Sequence, residues 1–140
     1  MNVNDITYKI NGAIFEVNKI LGPGFLEKVY EKALIVELRN RGLLAESQVP
    51  IKVEYKNEYV GDYIVDILVE NQIIIEVKTV ETFSKTHQAQ LLNYLKATGL
   101  NVGILVNFNK SRAEIKRMVS NFPEGNGNIS SARSAEEMSA

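Results

Sequence analysis

Two carboxylates and a lysine lie close together near the middle of the chain, at Asp66 and in the triplet Glu76-Val77-Lys78. They fall in two β-forming runs, Tyr63 to Val69 and Ile73 to Val80, which are joined by the turn Glu70-Asn71-Gln72. Carboxylate oxygens are the protein ligands that Mg²⁺ prefers, and a cation beside a lysine suits the hydrolysis of a phosphodiester. The spacing therefore predicts a metal site on a β-hairpin.

The register of this hairpin decides whether the three side chains meet. Successive side chains of a strand point to opposite faces, so pairing Val69 with Ile73 gathers the apolar residues on one face. That predicted apolar face consists of Val65, Ile67, Val69, Ile73, Ile75 and Val77. In the same register Asp66 lies directly opposite Glu76, and Lys78 follows on their face. Like charges placed opposite each other destabilise a strand pair, and a bound cation would offset the repulsion.

The alternative is a solvated polar face on which Lys78 neutralises both acids. Ile64, Leu68 and Ile74 share the face with the acids, so we expect it to be largely apolar and covered by a helix. Charged groups at the edge of a covered face are costly unless they are paired or bound to metal. This expectation favours a functional metal site over a solvated polar face.

Composition limits the class of protein and the kind of metal. The chain has 140 residues, 45% of them hydrophobic, which predicts one domain over residues 1–122 and a flexible polar tail over 123–140. It shows no membrane-spanning run and no signal peptide at the N-terminus, so we expect a soluble, cytoplasmic protein. The chain has no cysteine and a single histidine, His87. A metal would therefore be held mostly by oxygen, which favours Mg²⁺ or Mn²⁺.

The net charge of -1 is not typical of a protein that binds nucleic acid mainly by electrostatics. Basic residues nevertheless concentrate in the second half of the chain, and local patches matter more than the total charge. They are Lys78, Lys85, Lys96, Lys110, Arg112, Lys116 and Arg117. Each of them, taken singly, is equally well explained as an ordinary solvated residue.

Two helices are predicted before the strands. Apolar residues recur at helical spacing from Ile6 to Leu21, with Asn4 or Asp5 as the N-cap. Gly22-Pro23-Gly24 ends this helix, because proline disfavours the helical conformation in the residue before it. The second helix runs from about Phe25 to Arg41.

The later elements alternate between strand and helix. Val49 to Tyr55 predicts a strand before the hairpin, and Ser84 to Gly99 predicts a third helix with both of its caps. The apolar run Val102 to Phe108 is typical of a buried strand, and Ser111 to Val119 predicts a final helix. The order helix, helix, three strands, helix, strand, helix predicts an α/β fold with a central sheet and a parallel crossover through the third helix.

These residues together resemble the PD-(D/E)XK nuclease superfamily and, more narrowly, the small bacterial GxxExxY proteins. The narrow signature is present as Gly24-Phe25-Leu26-Glu27-Lys28-Val29-Tyr30. The broader core is present as Asp66, then Glu76-Val77-Lys78, then Gln90-Leu91-Leu92-Asn93-Tyr94, the last resembling the Gln-x-x-x-Tyr element of RecB-like nucleases. Val65 stands where the superfamily's name places proline, a loosely held position.

The resemblance implies a three-layer, restriction-endonuclease-like core with a mixed central sheet, and Mg²⁺-dependent or Mn²⁺-dependent hydrolysis of DNA or RNA. It implies that Asp66 and Glu76 bind the metal, that Glu27 approaches from the second helix to hold the metal or a water on it, and that Lys78 positions or polarises the attacking water. Without the Gly-x-x-Glu match, Glu27 is better explained as a solvated helix residue. The alternative function is a catalytically inactive module of the same fold that binds nucleic acid or a protein partner.

The third helix carries further candidates for contact with the substrate. Gln90 and Tyr94 are four residues apart and share a polar helical face with His87. We place Gln90, together with Lys85 and His87, near the substrate phosphate or base, although a surface position near the helix start explains His87 equally well. Tyr94 is expected to be a half-buried packing residue. Tyr30 is expected in the core, with its hydroxyl available to a site residue.

Overall fold

The computed structural model of the protein describes residues 1–120. The elements in chain order are α1 (Val3–Leu21), α2 (Glu27–Asn40), β1 (Ala45–Tyr55), β2 (Glu58–Val69), β3 (Ile73–Lys78), α3 (Lys85–Thr98), β4 (Val102–Asn107) and β5 (Glu114–Val119). The predicted α/β class is confirmed, and the first seven elements follow the predicted order. The predicted tail, residues 123–140, lies outside the described residues. Within the described part, no helix is long and apolar enough to cross a membrane.

The five strands form one mixed sheet in the order β1-β2-β3-β4-β5. Strands β3 and β4 are parallel and the other neighbours are antiparallel, so α3 is the predicted crossover between the parallel pair. Helices α1 and α2 pack on one face of the sheet, and α3 packs on the other. The result is a three-layer arrangement with two hydrophobic clusters separated by the sheet.

The predicted register of the β2–β3 hairpin is confirmed, because Val69 pairs with Ile73 and Ile67 with Ile75. The predicted single apolar face is wrong at Val65, which packs in the cluster under α3, whereas Ile67 packs under α1 and α2. The usual alternation of faces therefore breaks at the residue between them, Asp66.

The expectation that Ile64 is covered by a helix is also wrong, since 54% of the residue is exposed. The two other residues of that predicted face, Leu68 and Ile74, are buried under α3 as expected. The three residues of β2 that pair with β3, Ile67 to Val69, therefore follow the simple alternating pattern.

The last predicted helix is wrong, because residues 114–119 form the edge strand β5. This strand pairs antiparallel with β4 along its whole length. Without it, the outer backbone groups of β4 would have no hydrogen-bond partners. The side chain of Asn18 in α1 holds the preceding turn by accepting the backbone N–H of Ala113 at 2.9 Å. These long-range bonds outweigh the local helical pattern of the segment.

The start of α1 also differs from the prediction. The N-cap is Asn2 rather than Asn4 or Asp5, and its Oδ1 accepts the backbone N–H of Asp5 at 2.9 Å. Asp5 lies instead in the first turn, where its negative charge interacts favourably with the helix dipole.

Tyr30 holds the loop between α1 and α2. It is fully buried, and its ring stacks on Phe108 with 4.6 Å between centroids. Its hydroxyl donates to the carbonyl of Gly22 and accepts the backbone N–H of Phe25 at 3.1 Å. The predicted core position is confirmed, but the hydroxyl bonds this loop rather than a site residue. The first turn of α2 is thereby fixed against the sheet.

Replacing Tyr30 with phenylalanine keeps the stacking on Phe108 and removes both hydrogen bonds to the loop. We expect Tyr30→Phe to lower the free energy of unfolding by about 1–2 kcal/mol, measured by urea denaturation. The matched control is Tyr8→Phe, because Tyr8 is 81% exposed, and it should change stability by less than about 0.5 kcal/mol. Equal stabilities for the two variants would contradict a role of the hydroxyl in holding the loop.

Candidate active site

Asp66 and Glu76 form a carboxyl pair between β2 and β3, directly beyond the last paired residues, Ile67 and Ile75. The backbone N–H of Asp66 donates to Oε2 of Glu76 at 2.8 Å, and the backbone N–H of Val77 donates to Oδ2 of Asp66 at 2.8 Å. The two carboxyl groups also interact with each other, since Asp66 raises the pKa of Glu76. At this point the side chains, rather than the opposite backbone, satisfy the N–H groups of the two strands.

Both carboxyl groups are difficult to ionise in this position. Burial, followed by the negative charge of Asp66, raises the pKa of Glu76 to about 8, although Lys78 acts in the opposite direction. Burial also raises the pKa of Asp66, and the hydrogen bond from Val77 opposes that shift. A pair of this kind requires either a shared proton or a cation to compensate its charge.

Glu27 and Lys78 lie beside the pair. Glu27 is the first residue of α2, and burial of its carboxyl group raises its pKa, while Lys78 and the backbone of Thr79 lower it. The negative charge of Asp66 raises the pKa of Glu27 as well. Lys78 ends β3, and its charge acts on Glu27, Asp66 and Glu76. The structure therefore brings these four predicted residues into one electrostatic cluster.

The donor atoms of this cluster suit a hard divalent cation. Among residues 1–120, no group of three or more His, Asp or Glu side chains is arranged to hold a metal ion, so Glu27 does not complete a three-ligand set with the pair. Mg²⁺ commonly keeps several of its waters and uses only one or two protein carboxylates. Each carboxylate of the pair uses one oxygen for a backbone N–H, and its other oxygen takes no backbone hydrogen bond. The pair fits such an ion.

Glu31 is a site residue that the sequence patterns missed. It is only 3% exposed, and its Oε1 accepts the side-chain amide of Gln48 at 2.5 Å and the hydroxyl of Ser47 at 3.3 Å. Its Oε2 pairs with Lys28 at 3.2 Å. Glu31 also raises the pKa of Asp66 through its negative charge. Its position four residues after Glu27, on the same helical face, was the available signal.

Gln48 explains the break in alternation at Asp66. Its backbone is left-handed, with φ 54°, which is uncommon for a residue other than glycine. It lies across from Asp66, between the pairs Ser47–Ile67 and Val49–Val65. The hydrogen bond from Gln48 to Glu31 therefore anchors the irregular point of β1 to α2, directly beside the carboxyl pair.

His87 has a structural role at the start of α3. Its backbone N–H donates to Oγ of Ser84 at 3.1 Å, and its Nδ1 accepts the N–H of Ser84 at 3.2 Å, which forms a capping box. This arrangement favours the interpretation of His87 as a residue near the helix start. Lys85 is exposed in the first turn of the same helix. Contact of His87 or Lys85 with a substrate stays a prediction.

Gln90 and Tyr94 line a cleft of about 480 Å³ between α3 and the β1–β2 hairpin. Tyr94 is 5% exposed, which makes it more buried than predicted. Burial, followed by the negative charges of Glu76 and Asp66, raises the pKa of the Tyr94 hydroxyl to about 12. Tyr94 therefore lies within electrostatic range of the carboxyl pair, and it packs in the same cluster as Val65, the residue before Asp66.

A family model described as the PD-(D/E)XK nuclease superfamily matches residues 4–118. The chain belongs to this superfamily. The match extends from the first turn of α1 into β5 and includes the whole carboxyl cluster. The narrower resemblance to GxxExxY proteins and RecB-like nucleases stays a prediction, as do the roles of Asp66, Glu76 and Lys78.

A solved structure shares the fold of this chain. The crystal structure of SSO0001 is similar to this chain, with a TM-score of 0.54 and 21% sequence identity. The similarity covers 79% of this chain and 55% of SSO0001, so the present chain corresponds to about half of that protein. At this identity the likeness shows the fold alone. No curated protein matches the chain significantly.

The raised pKa of Glu76 predicts how the stability of this superfamily member depends on pH. The folded protein keeps a proton that the unfolded chain releases between its ordinary pKa of 4.5 and about 8, so this contribution to stability is lost as the pH rises through 8. We expect the free energy of unfolding, measured by urea denaturation with EDTA present, to fall over this range.

Glu76→Gln removes the titrating group and should give a flatter profile. The control Glu58→Gln, at an exposed position of β2, should keep the wild-type slope. An equally steep decline in Glu76→Gln and the wild type would contradict the assignment of the slope to Glu76.

Truncating Glu31 tests the anchor between α2 and β1. Glu31→Ala leaves the Gln48 amide and the Ser47 hydroxyl without their acceptor, and we expect a loss of about 2–3 kcal/mol in the free energy of unfolding. Lys28→Ala is the matched control, because 63% of the Lys28 side chain is exposed to solvent, and an ion pair screened in this way should contribute less than about 1 kcal/mol. A loss in Lys28→Ala as large as in Glu31→Ala would instead assign the stabilisation to the ion pair.

Proposed function

We propose that this protein is a divalent-metal-dependent nuclease that hydrolyses phosphodiester bonds in DNA or RNA, with Mg²⁺ or Mn²⁺ as its cofactor. The carboxyl pair of Asp66 and Glu76 carries the proposal, because Glu76 is buried, Asp66 is half-buried beside it, and the two groups need a positive charge to ionise together. Membership in the PD-(D/E)XK nuclease superfamily supports the reaction class.

Asp66 and Glu76 would hold the cation, with Glu27 approaching from α2. A bound divalent cation supplies positive charge to the phosphate and makes a water molecule more acidic. The backbone N–H groups that bind the two carboxylates fix their orientation before any ligand arrives. This preorganisation lowers the cost of arranging two like charges around one ion.

Lys78 and Gln90 would act on the substrate. The positive charge of Lys78 lies among three acids, which keeps it close to the reacting groups. We assign to its ammonium group the orientation of the attacking water and the stabilisation of negative charge on the phosphate. Gln90 lines the neighbouring cleft and would contact the phosphate or the base.

Cleavage assays with matched variants test this assignment. Single-stranded and double-stranded DNA and RNA are incubated with the protein in Mg²⁺, in Mn²⁺ and in EDTA. We expect cleavage only with a divalent cation, and rates at least about a hundredfold lower for Asp66→Ala and Lys78→Ala. The controls Glu58→Ala and Lys52→Ala replace exposed charges on β2 and β1 and should cleave at the wild-type rate. Undiminished cleavage by Asp66→Ala or Lys78→Ala would exclude the proposed roles.

A second candidate function is an inactive module of the same fold that binds nucleic acid or a protein partner. The hydrogen bonds of the carboxyl pair favour it, because a backbone N–H already occupies one oxygen of Asp66 and one oxygen of Glu76. Thermal stability measured with and without Mg²⁺ separates the two functions. Stabilisation by Mg²⁺ that is lost in Asp66→Ala supports the nuclease, whereas an unchanged melting temperature supports the module.

A further inference from the structure

We propose that the cleft between α3 and the β1–β2 hairpin binds one unpaired nucleobase of the substrate, beside the phosphodiester bond to be hydrolysed. The inference rests on the proposed nuclease function and narrows its substrate to single-stranded or locally unpaired nucleic acid. The volume of about 480 Å³ falls within the range of roughly 300–1,000 Å³ that is usual for pockets binding small molecules.

One wall of the cleft is a single face of α3. Its residues recur at helical spacing, and the small side chains among them leave room for a ligand between the helix and the hairpin. They are Thr86, Ala89, Gln90, Asn93 and Ala97. The side-chain amides of Gln90 and Asn93 offer both donors and acceptors, which is the combination found on the edges of nucleobases.

The opposite wall supplies an aromatic ring from the hairpin. Tyr63 in β2 is 51% exposed, and its ring is tilted by 52° against that of Tyr94 at 5.7 Å between centroids. Because the two rings are not stacked on each other, Tyr94 does not cover the face of Tyr63. An exposed aromatic ring beside hydrogen-bonding amides is a stacking platform for an unpaired base.

The charges around the cleft favour a base over a phosphate. Glu54 and Lys96 both line it, so its walls carry one negative and one positive group and no excess of positive charge. A phosphate would need such an excess, whereas a neutral base with amino and carbonyl groups does not.

The position of the cleft connects it to the proposed catalytic groups. Tyr94 lines the cleft and packs in the same buried cluster as Val65, the residue before Asp66. A base in the cleft would therefore place the phosphate of the same or a neighbouring nucleotide near the carboxyl pair. In a duplex both faces of a base are covered by its neighbours, so only an unpaired base can stack on Tyr63.

Binding of fluorescent oligonucleotides tests the cleft independently of cleavage. The full chain in EDTA is titrated with short single-stranded DNA and RNA that carry 2-aminopurine at one position, and with the corresponding duplexes. We expect the fluorescence to be quenched on binding of a single strand and not of a duplex. Tyr63→Ala should weaken this binding about tenfold and abolish the quenching. Tyr63→Phe keeps the ring and should retain both properties.

The control for a general effect of removing a tyrosine is Tyr8→Ala, an exposed position on α1 at the opposite side of the sheet. It should bind the single strand as the wild type does. In cleavage assays we expect Tyr63→Ala to raise KM for single strands about tenfold and to leave kcat nearly unchanged.

The outcomes separate this inference from the proposed nuclease function. Single-strand quenching that depends on Tyr63, without any cleavage in Mg²⁺ or Mn²⁺, would support the base site and contradict the nuclease. Cleavage of duplexes and single strands with equal efficiency, unaffected by Tyr63→Ala, would support the nuclease and overturn the base site. Failure of every single strand to bind, together with no cleavage of any single-stranded or duplex substrate, would overturn both.

Discussion

The arrangement of the candidate site depends on two neighbouring carboxyl groups in the centre of this structure. Asp66 and Glu76 meet where the ladder between β2 and β3 stops, and each receives a backbone N–H from the opposite strand. Burying two negative charges side by side is costly, and the structure offsets part of this cost with backbone N–H groups and with Lys78, while burial raises the pKa of Glu76 to about 8. The same features that make the pair costly in the free protein make it receptive to a divalent cation.

The helix that faces this pair is fixed independently of it. Tyr30 ties α2 to the loop after α1 and to Phe108 beside β4, which determines where Glu27 begins the helix. One turn later Glu31 anchors the irregular point of β1 next to Asp66. The Gly-x-x-Glu-x-x-Tyr segment thus combines a structural tyrosine with an acid at the site. The fold prepares the site through packing and hydrogen bonds that need no ligand.

Local patterns were sufficient where the deciding forces are local. The pairing of Val69 with Ile73 followed from a short turn and an apolar face, and both are visible in the sequence. Strand β5 was mistaken for a helix because its conformation depends on the open edge of β4 and on Asn18, which is distant in sequence. Glu31 was missed because an acid on a helix is usually solvated, and only its contact with Gln48 shows otherwise.

The face of Val65 was predicted wrongly for a similar reason, because it depends on the neighbouring strand rather than on the local pattern. A strand that keeps its alternation would have placed this side chain beside Ile67, but the left-handed backbone of Gln48 on the neighbouring strand coincides with a change of face. Glutamine gives no sequence signal for that conformation, which glycine and asparagine adopt more readily. The residue types of the site and the register of its hairpin can therefore be predicted from the sequence. The irregular backbone around Asp66 cannot.

Calorimetric titration of Mn²⁺ into the full chain, in two buffers with different ionisation enthalpies, tests the central claim most directly. At about pH 7, below the pKa of about 8 for Glu76, a cation that replaces the proton of the pair must release it to the buffer. The account predicts saturable binding with close to one proton released, and loss of that release in Glu76→Gln. Binding without proton release, or no saturable binding by the wild-type protein, would contradict it.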